Sequence, residues 1–103
     1  EAAMLMRRMR ALASVDLGEK DLRLHISQDD AGQRSHPPHQ HGGFEAIYVL
    51  EGQATVEIED QEHVLNANET AVFDPLKMHG LRNDGDGVLK YIVLRAGDDG
   101  MLG

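Results

Sequence analysis

Leu22, Leu24 and Ile26 alternate with Arg23, His25 and Ser27, and the same two-residue period returns at Ala54, Val56 and Ile58 against Thr55, Glu57 and Glu59. On an extended backbone such alternation separates apolar from polar side chains onto opposite faces, so each run predicts a half-buried strand. Residues 44–50 are rich in β-formers and end at Gly52, which predicts a tight turn at Glu51-Gly52 leading straight into the 54–58 strand. Asp60-Gln61 suits a second hairpin turn before a strand over 63–65; 66–69 reads as another turn, 70–73 as a short strand, and Pro75 stops it. The Gly/Asp-rich stretch 83–87 turns into a last strand over 88–94, whose inward face cannot be read because both faces are largely apolar. Gly32, Pro37 and Pro38 mark 29–38 as a surface loop.

At the start of the chain, Leu5, Met9 and Leu12 have helical spacing. The stretch from Ala2 to Ser14 is expected to be either a short helix or an arm pairing with a partner subunit, and Gly18 marks a turn after it. Roughly six to eight short strands separated by frequent turn signals predict an all-β sandwich or barrel. Without repeats or a long linker, the expectation is one domain over 1–103, with an arm over 1–20, a barrel over 21–96 and a tail over 97–103.

Composition narrows the partners. Eighteen acidic against ten basic residues give a net charge of −8, the wrong sign for a nucleic-acid surface. Arg7, Arg8 and Arg10 are read as a solvated face or as oligomer contacts. No apolar run reaches the ~18 residues of a membrane span, and the arginines within 2–13 argue against a signal peptide, so the expected location is the cytoplasm. Cysteine is absent, which removes disulfides and thiolate sites; any metal must be held by imidazole, carboxylate and water.

The chemistry lies in His39-x-His41-x3-Glu45-x6-Gly52, answered by His79-x3-Asn83. His39 and His41 share one parity, so an extended backbone points both to one side, and Glu45 has the same parity beyond Gly42-Gly43. Those glycines allow a bend that would bring the carboxylate to the imidazoles, while His79 would have to come from a neighbouring strand. Asn83 is expected to serve a turn or to orient a ligand by hydrogen bonding. His25 and His63, outside the pattern, are expected at half-exposed strand positions.

These residues resemble the cupin superfamily. His39, His41, Glu45 and Gly52 match its first motif, and Asn68-Glu69, Pro75, His79 and Asn83 match its second. Asn68-Glu69 replaces the usual Gly-Asp, Leu76-Lys77 stands where a glycine usually follows the proline, and the glycine expected before the first histidine is displaced to Gly32. The resemblance spans Leu22 to Leu94 and implies a small antiparallel β-barrel of jelly-roll type, with a metal held by His39, His41, Glu45 and His79. It also implies that the N-terminal segment pairs with a second subunit, making a homodimer.

Imidazole and carboxylate suit Mn, Fe, Co, Ni, Cu or Zn. Four protein ligands leave two positions on an octahedral ion, which favours Fe, Mn or Ni over Zn for catalysis on a small polar molecule. Two reaction classes follow: a dioxygenase, taken as the first expectation, or a Lewis-acid isomerase or lyase, which also needs a proton-transfer side chain. The candidates for that group are Tyr48, Glu57 and His36, none marked by a motif. A noncatalytic ligand-sensing cupin is a further alternative; the ~20 residues before the first predicted strand are too few for an attached helix-turn-helix domain.

Overall fold

The computed structural model describes residues 8–16, 21–35 and 37–97, with side chains from residue 22 onward. Eight strands follow one another: β1 (Arg8–Asp16), β2 (Asp21–Asp29), β3 (Phe44–Glu51), β4 (Gln53–Ile58), β5 (Gln61–Asn66), β6 (Thr70–Phe73), β7 (His79–Arg82) and β8 (Leu89–Gly97). They form two antiparallel sheets, one ordered β1-β2-β8-β3-β6 and the other β5-β4-β7. The chain is all-β, as its alternation predicts.

The core lies between the sheets. Ile47 and Val49 of β3 and Leu89, Tyr91 and Val93 of β8 meet Ala54 and Val56 of β4 and Leu81 of β7. Alternate residues of β3, β4 and β8 therefore point inward, which settles the ambiguous last strand: Leu89, Tyr91 and Val93 are buried, while Ile92 and Leu94 face outward.

The same rule reverses the expected faces of β2. Ser27 and Asp29 are fully buried, and His25 lies on their side of the strand, whereas Leu22, Leu24 and Ile26 are half-buried on the other face. Burial is made tolerable by hydrogen bonding. Ser35 donates to the Asp29 carboxylate (2.8 Å to either oxygen) and stands 2.8 Å from the Tyr91 hydroxyl. The apolar side chains of β2 sit instead beside Ile92 and Leu94 on the outer face, which continues to Phe44 and Val72, 70% and 74% exposed.

Two further expectations change. Residues 8–16 are a strand at the sheet edge, paired with β2 of the same chain; the helical spacing of Met9 and Leu12 yields to ladder hydrogen bonds. Residues 1–7, the turn at Gly18 and the tail 98–103 lie outside the described residues. The second hairpin turns at Glu59-Asp60 rather than Asp60-Gln61, with Glu59 at φ 54°. His79 stands on a strand over 79–82, whose bounds His-Gly-Leu-Arg has too little alternation to mark.

Two turn readings agree with the structure. Gly52 has φ 85° between β3 and β4, and Asn68 has φ 69°, the left-handed conformation that asparagine tolerates. The Asn66 amide donates to Glu69 Oε1 at 2.6 Å, and the Tyr48 hydroxyl donates to Asn68 Oδ1 at 2.9 Å, so both motif residues close this turn. Asn83 is buried; its amide donates to the carbonyls of Asp29 and Gly87 and its Oδ1 accepts from the Gly85 amide. It shapes the 83–87 loop, matching its turn reading.

Candidate metal centre

The site forms where the chain crosses from one sheet to the other. His39 pairs with His79 of β7 as an isolated antiparallel bridge, each amide donating to the other's carbonyl at 2.8 Å. Two residues on, the His41 amide donates to the Pro75 carbonyl at 2.8 Å. The chain then bends through Gly43, at φ 87°, and enters β3, where Glu45 stands between Arg95 of β8 and Phe73 of β6. The first two histidines thus belong to the β7 side and the glutamate to the opposite sheet.

The three imidazoles of His39, His41 and His79 pack edge to face, with centroids 4.7–5.0 Å apart. One ring nitrogen from each lies within 4.8 Å of the others. Glu45 Oε1 lies 2.8 Å from His41 Nε2 and 3.6 Å from His79 Nε2.

Tautomers are set by the backbone. His41 Nδ1 lies 3.0 Å from the Gly42 carbonyl and His79 Nδ1 lies 2.8 Å from the Lys77 carbonyl. A carbonyl can only accept, so each Nδ1 carries the proton and each Nε2 turns a lone pair toward the cluster. Both Nε2 atoms are buried and neither makes an aligned hydrogen bond, although a carboxylate oxygen stands beside them. Lone pairs and a carboxylate converging in a buried space suit a cation, and the backbone carbonyls supply the outer contacts that orient ligating imidazoles. The three-histidine cluster could hold a metal ion.

Electrostatics agree with that arrangement. Burial pushes the Glu45 carboxyl up, but His79, His41 and Arg95 outweigh it and hold the group below the ordinary glutamate value. Burial pushes His79 down, yet Glu45 and the Lys77 carbonyl raise it above the ordinary histidine value.

A cavity of about 210 Å³ opens beside the cluster. His39, Glu45 and His79 form one part of its wall, Ile47, Leu81 and Val93 an apolar part, and Ser27 and Tyr91 a polar one; His25 and Arg95 complete the chemistry. Tyr48 and Glu57 are not among the lining residues. Tyr48 clamps the Asn68 turn, and Glu57 is pinned on the outer side of β4 by Arg34 (2.6 and 3.1 Å) and Arg82 (2.6 Å). The Arg34 guanidinium, with Arg82 beside it, holds Glu57 below the ordinary value. His36 lies outside the described residues, and His63 is exposed on β5.

Sequence reasoning passed over His25 and Arg95. Their shared signal is parity with buried neighbours: His25 lies two residues from Ser27, and Arg95 two from Val93. It could be read only once the inward face of β2 and β8 was known.

The architecture is similar to that of an RmlC-like cupin family protein with a double-stranded β-helix fold from Methanocaldococcus jannaschii, at a TM-score of 0.79 and 15% identity over 94% of this chain and 85% of that one. A proposed sugar phosphate isomerase from Acidithiobacillus ferrooxidans gives 0.65 and 27% identity over 74% of this chain and 49% of that one. A DMSP lyase from Ruegeria pomeroyi gives 0.75 and 23% over 92% and 49%, so this chain spans about half the length of either enzyme. No curated protein matches the chain by sequence. The model of the cupin domain matches residues 26–95, and the chain, with both sheets and the histidine cluster in place, belongs to the cupin family.

Proposed function

We propose that this chain is a metal-dependent enzyme of the non-oxidative kind, an isomerase or lyase acting on a small polar molecule. In this reading His39, His41, His79 and Glu45 hold a divalent ion, with Fe, Mn or Ni favoured by coordination number. When bound, the ion would supply Lewis-acid polarisation of a carbonyl or hydroxyl oxygen. The observation that carries the reading is His25, an imidazole in the wall of the same cavity as the ligand cluster. Reactions of this class need a group that takes and returns a proton, and neither Tyr48 nor Glu57 lines the cavity.

The chain's own residues divide the remaining tasks. Ile47, Leu81 and Val93 keep one wall apolar, which strengthens every polar interaction inside the cavity. Ser27 and Tyr91, the latter held by Ser35 and Asp29, form the polar wall where a substrate can be oriented. His25 exchanges the proton at a ring nitrogen. The likeness to a proposed isomerase at 27% identity supports the same class. A dioxygenase remains the second reading, favoured by the apolar wall, which suits O₂, and by the two positions four ligands leave on an octahedral ion.

Exchange of substrate protons with D₂O, followed by NMR across short 2-oxo acids and keto-sugars under argon, separates the two. The metal-loaded protein should exchange the proton beside the carbonyl, and His25→Gln should slow it by ~100-fold or more at unchanged metal content. Oxygen uptake without any such exchange would replace this reading by the oxidative one.

Metal retention should also depend on pH. Coordination needs neutral imidazoles, and His79 is raised above its ordinary value near 6.5. Its protonated fraction therefore grows as pH falls through a value above 6.5, and metal is released in that direction. Dialysis at graded pH followed by elemental analysis should show full retention at pH 8 and extensive loss by about pH 5.5. Flat retention across that range would count against histidine ligation.

A further inference from the structure

We infer that the cavity selects a small carboxylate, such as a short 2-oxo or 2-hydroxy acid, and that Arg95 receives its carboxylate group. The inference rests on the metal reading only for the opposite end of the ligand. Arg95 lines the cavity, its side chain 25% exposed, with Nε 4.0 Å from Glu45 Oε1. That spacing is too long for a hydrogen bond, yet the charge is felt at the cluster, where Arg95 helps lower Glu45. Arg95 thus brings a guanidinium to the cavity wall, and the planar donor fork of that group matches a carboxylate with two parallel hydrogen bonds.

The register adds a second observation. Arg23 of β2 is directly opposite Arg95 of β8, which is in turn opposite Glu45 of β3. Arg23 shares the parity of His25 and Ser27, so it faces the same side, and it is exposed. Like charges directly opposite on neighbouring strands are unfavourable. Two arginines placed so in a chain of net charge −8 set two positive charges side by side on the inward face of β2 and β8, one of them in the cavity wall. An anion entering there relieves the repulsion between them.

Size and charge select among anions. A volume of about 210 Å³ equals roughly seven waters, below the ~300 Å³ at which pockets for drug-sized ligands begin. Glu45 offsets part of the Arg95 charge, so a monoanion fits better than a phosphate dianion. Among the described residues, no lysine and no helix N-terminus lines the cavity to hold a phosphate. The apolar wall of Ile47, Leu81 and Val93 would receive a short carbon chain.

Calorimetric titration of tag-free protein, metal-free and Mn²⁺-loaded, with pyruvate, 2-oxobutyrate, pyruvamide and inorganic phosphate tests the inference. The wild type should bind pyruvate or 2-oxobutyrate at least ~10-fold more tightly than the uncharged pyruvamide, and more tightly than phosphate. Arg95→Gln should erase that preference, Arg95→Lys should retain only part of it, and Arg23→Gln should weaken it by ~2–3-fold. Equal binding of pyruvate and pyruvamide, a preference intact in Arg95→Gln, tighter phosphate binding, or no binding of either acid overturns the inference. Elemental analysis of the same samples separates the two readings: a protein that holds no metal yet prefers pyruvate through Arg95 refutes the metal site and keeps the carboxylate site. Circular dichroism checks the fold of each variant, and Arg95→Lys decides the matter if Arg95→Gln does not fold.

Discussion

A His79→Ala protein is expected to lose its metal, with affinity falling by at least ~100-fold and the purified tag-free protein holding less than a tenth of the wild-type content. Altering a residue that merely orients a ligand typically costs 10–100-fold in affinity, so removing a ligand should cost at least as much. His79 contributes twice over: its Nε2 faces the cluster, and its backbone exchanges both hydrogen bonds with His39, which places that ring. Alanine keeps the backbone bridge and removes only the imidazole, so the effect should report ligation rather than misfolding. His63→Ala, on the exposed face of β5, is the matched control and should retain its metal. Full occupancy in His79→Ala, measured by elemental analysis beside an unchanged circular dichroism spectrum, would sink the four-ligand assignment.

The largest effect on stability is expected from Gly52→Ala. Gly52 has φ 85°, where a Cβ costs roughly 1–2 kcal/mol, and an added Cβ would stand 2.3 Å from the Val88 carbonyl oxygen and 3.1 Å from Leu89 Cα. Both atoms are backbone, so no rotamer change relieves the overlap; either the hairpin or the start of β8 must move. Overpacking of this kind typically costs a further ~1–3 kcal/mol. The sum, about 2–5 kcal/mol, is a large part of the ~5–15 kcal/mol that holds a domain together. Gly32 provides the comparison: φ is 77° but a Cβ there meets nothing within 4 Å, so Gly32→Ala should cost only the backbone strain. Urea unfolding followed by circular dichroism should place Gly52→Ala well below Gly32→Ala. Equal midpoints would mean that the hairpin does not rest on β8 as described.

Much of this architecture was legible because it is local. Alternation declared β4 and β2, and Gly52 and Asn68 marked turns because only certain residues tolerate their backbone angles. What misled was the assumption that the apolar side of an alternating strand faces the core. In β2 the face bearing Ser27 and Asp29 is inward, since Ser35 and Tyr91 supply partners that no neighbouring residue announces. That reversal is why His25 was read as an ordinary strand residue. The β1 segment misled differently: Leu5, Met9 and Leu12 suit a helix in isolation, but residues 8–16 find a ladder on β2.

The sequence by itself determined the ligand-bearing run. His39, His41 and Glu45 lie within seven residues, with glycines at the bend, so their spacing and parity already grouped two imidazoles and a carboxylate. It also determined the strand-and-turn rhythm and the exclusion of thiolate chemistry. Only the tertiary structure decided that His79 stands opposite His39, that Glu45 reaches the imidazoles from the other sheet, and that His25 and Arg95 share their cavity. The reason is that side-chain period and turn preference act over a few residues. Which strands face one another depends on closing loops of tens of residues, and the burial that rewards that closure belongs to the assembled sheets.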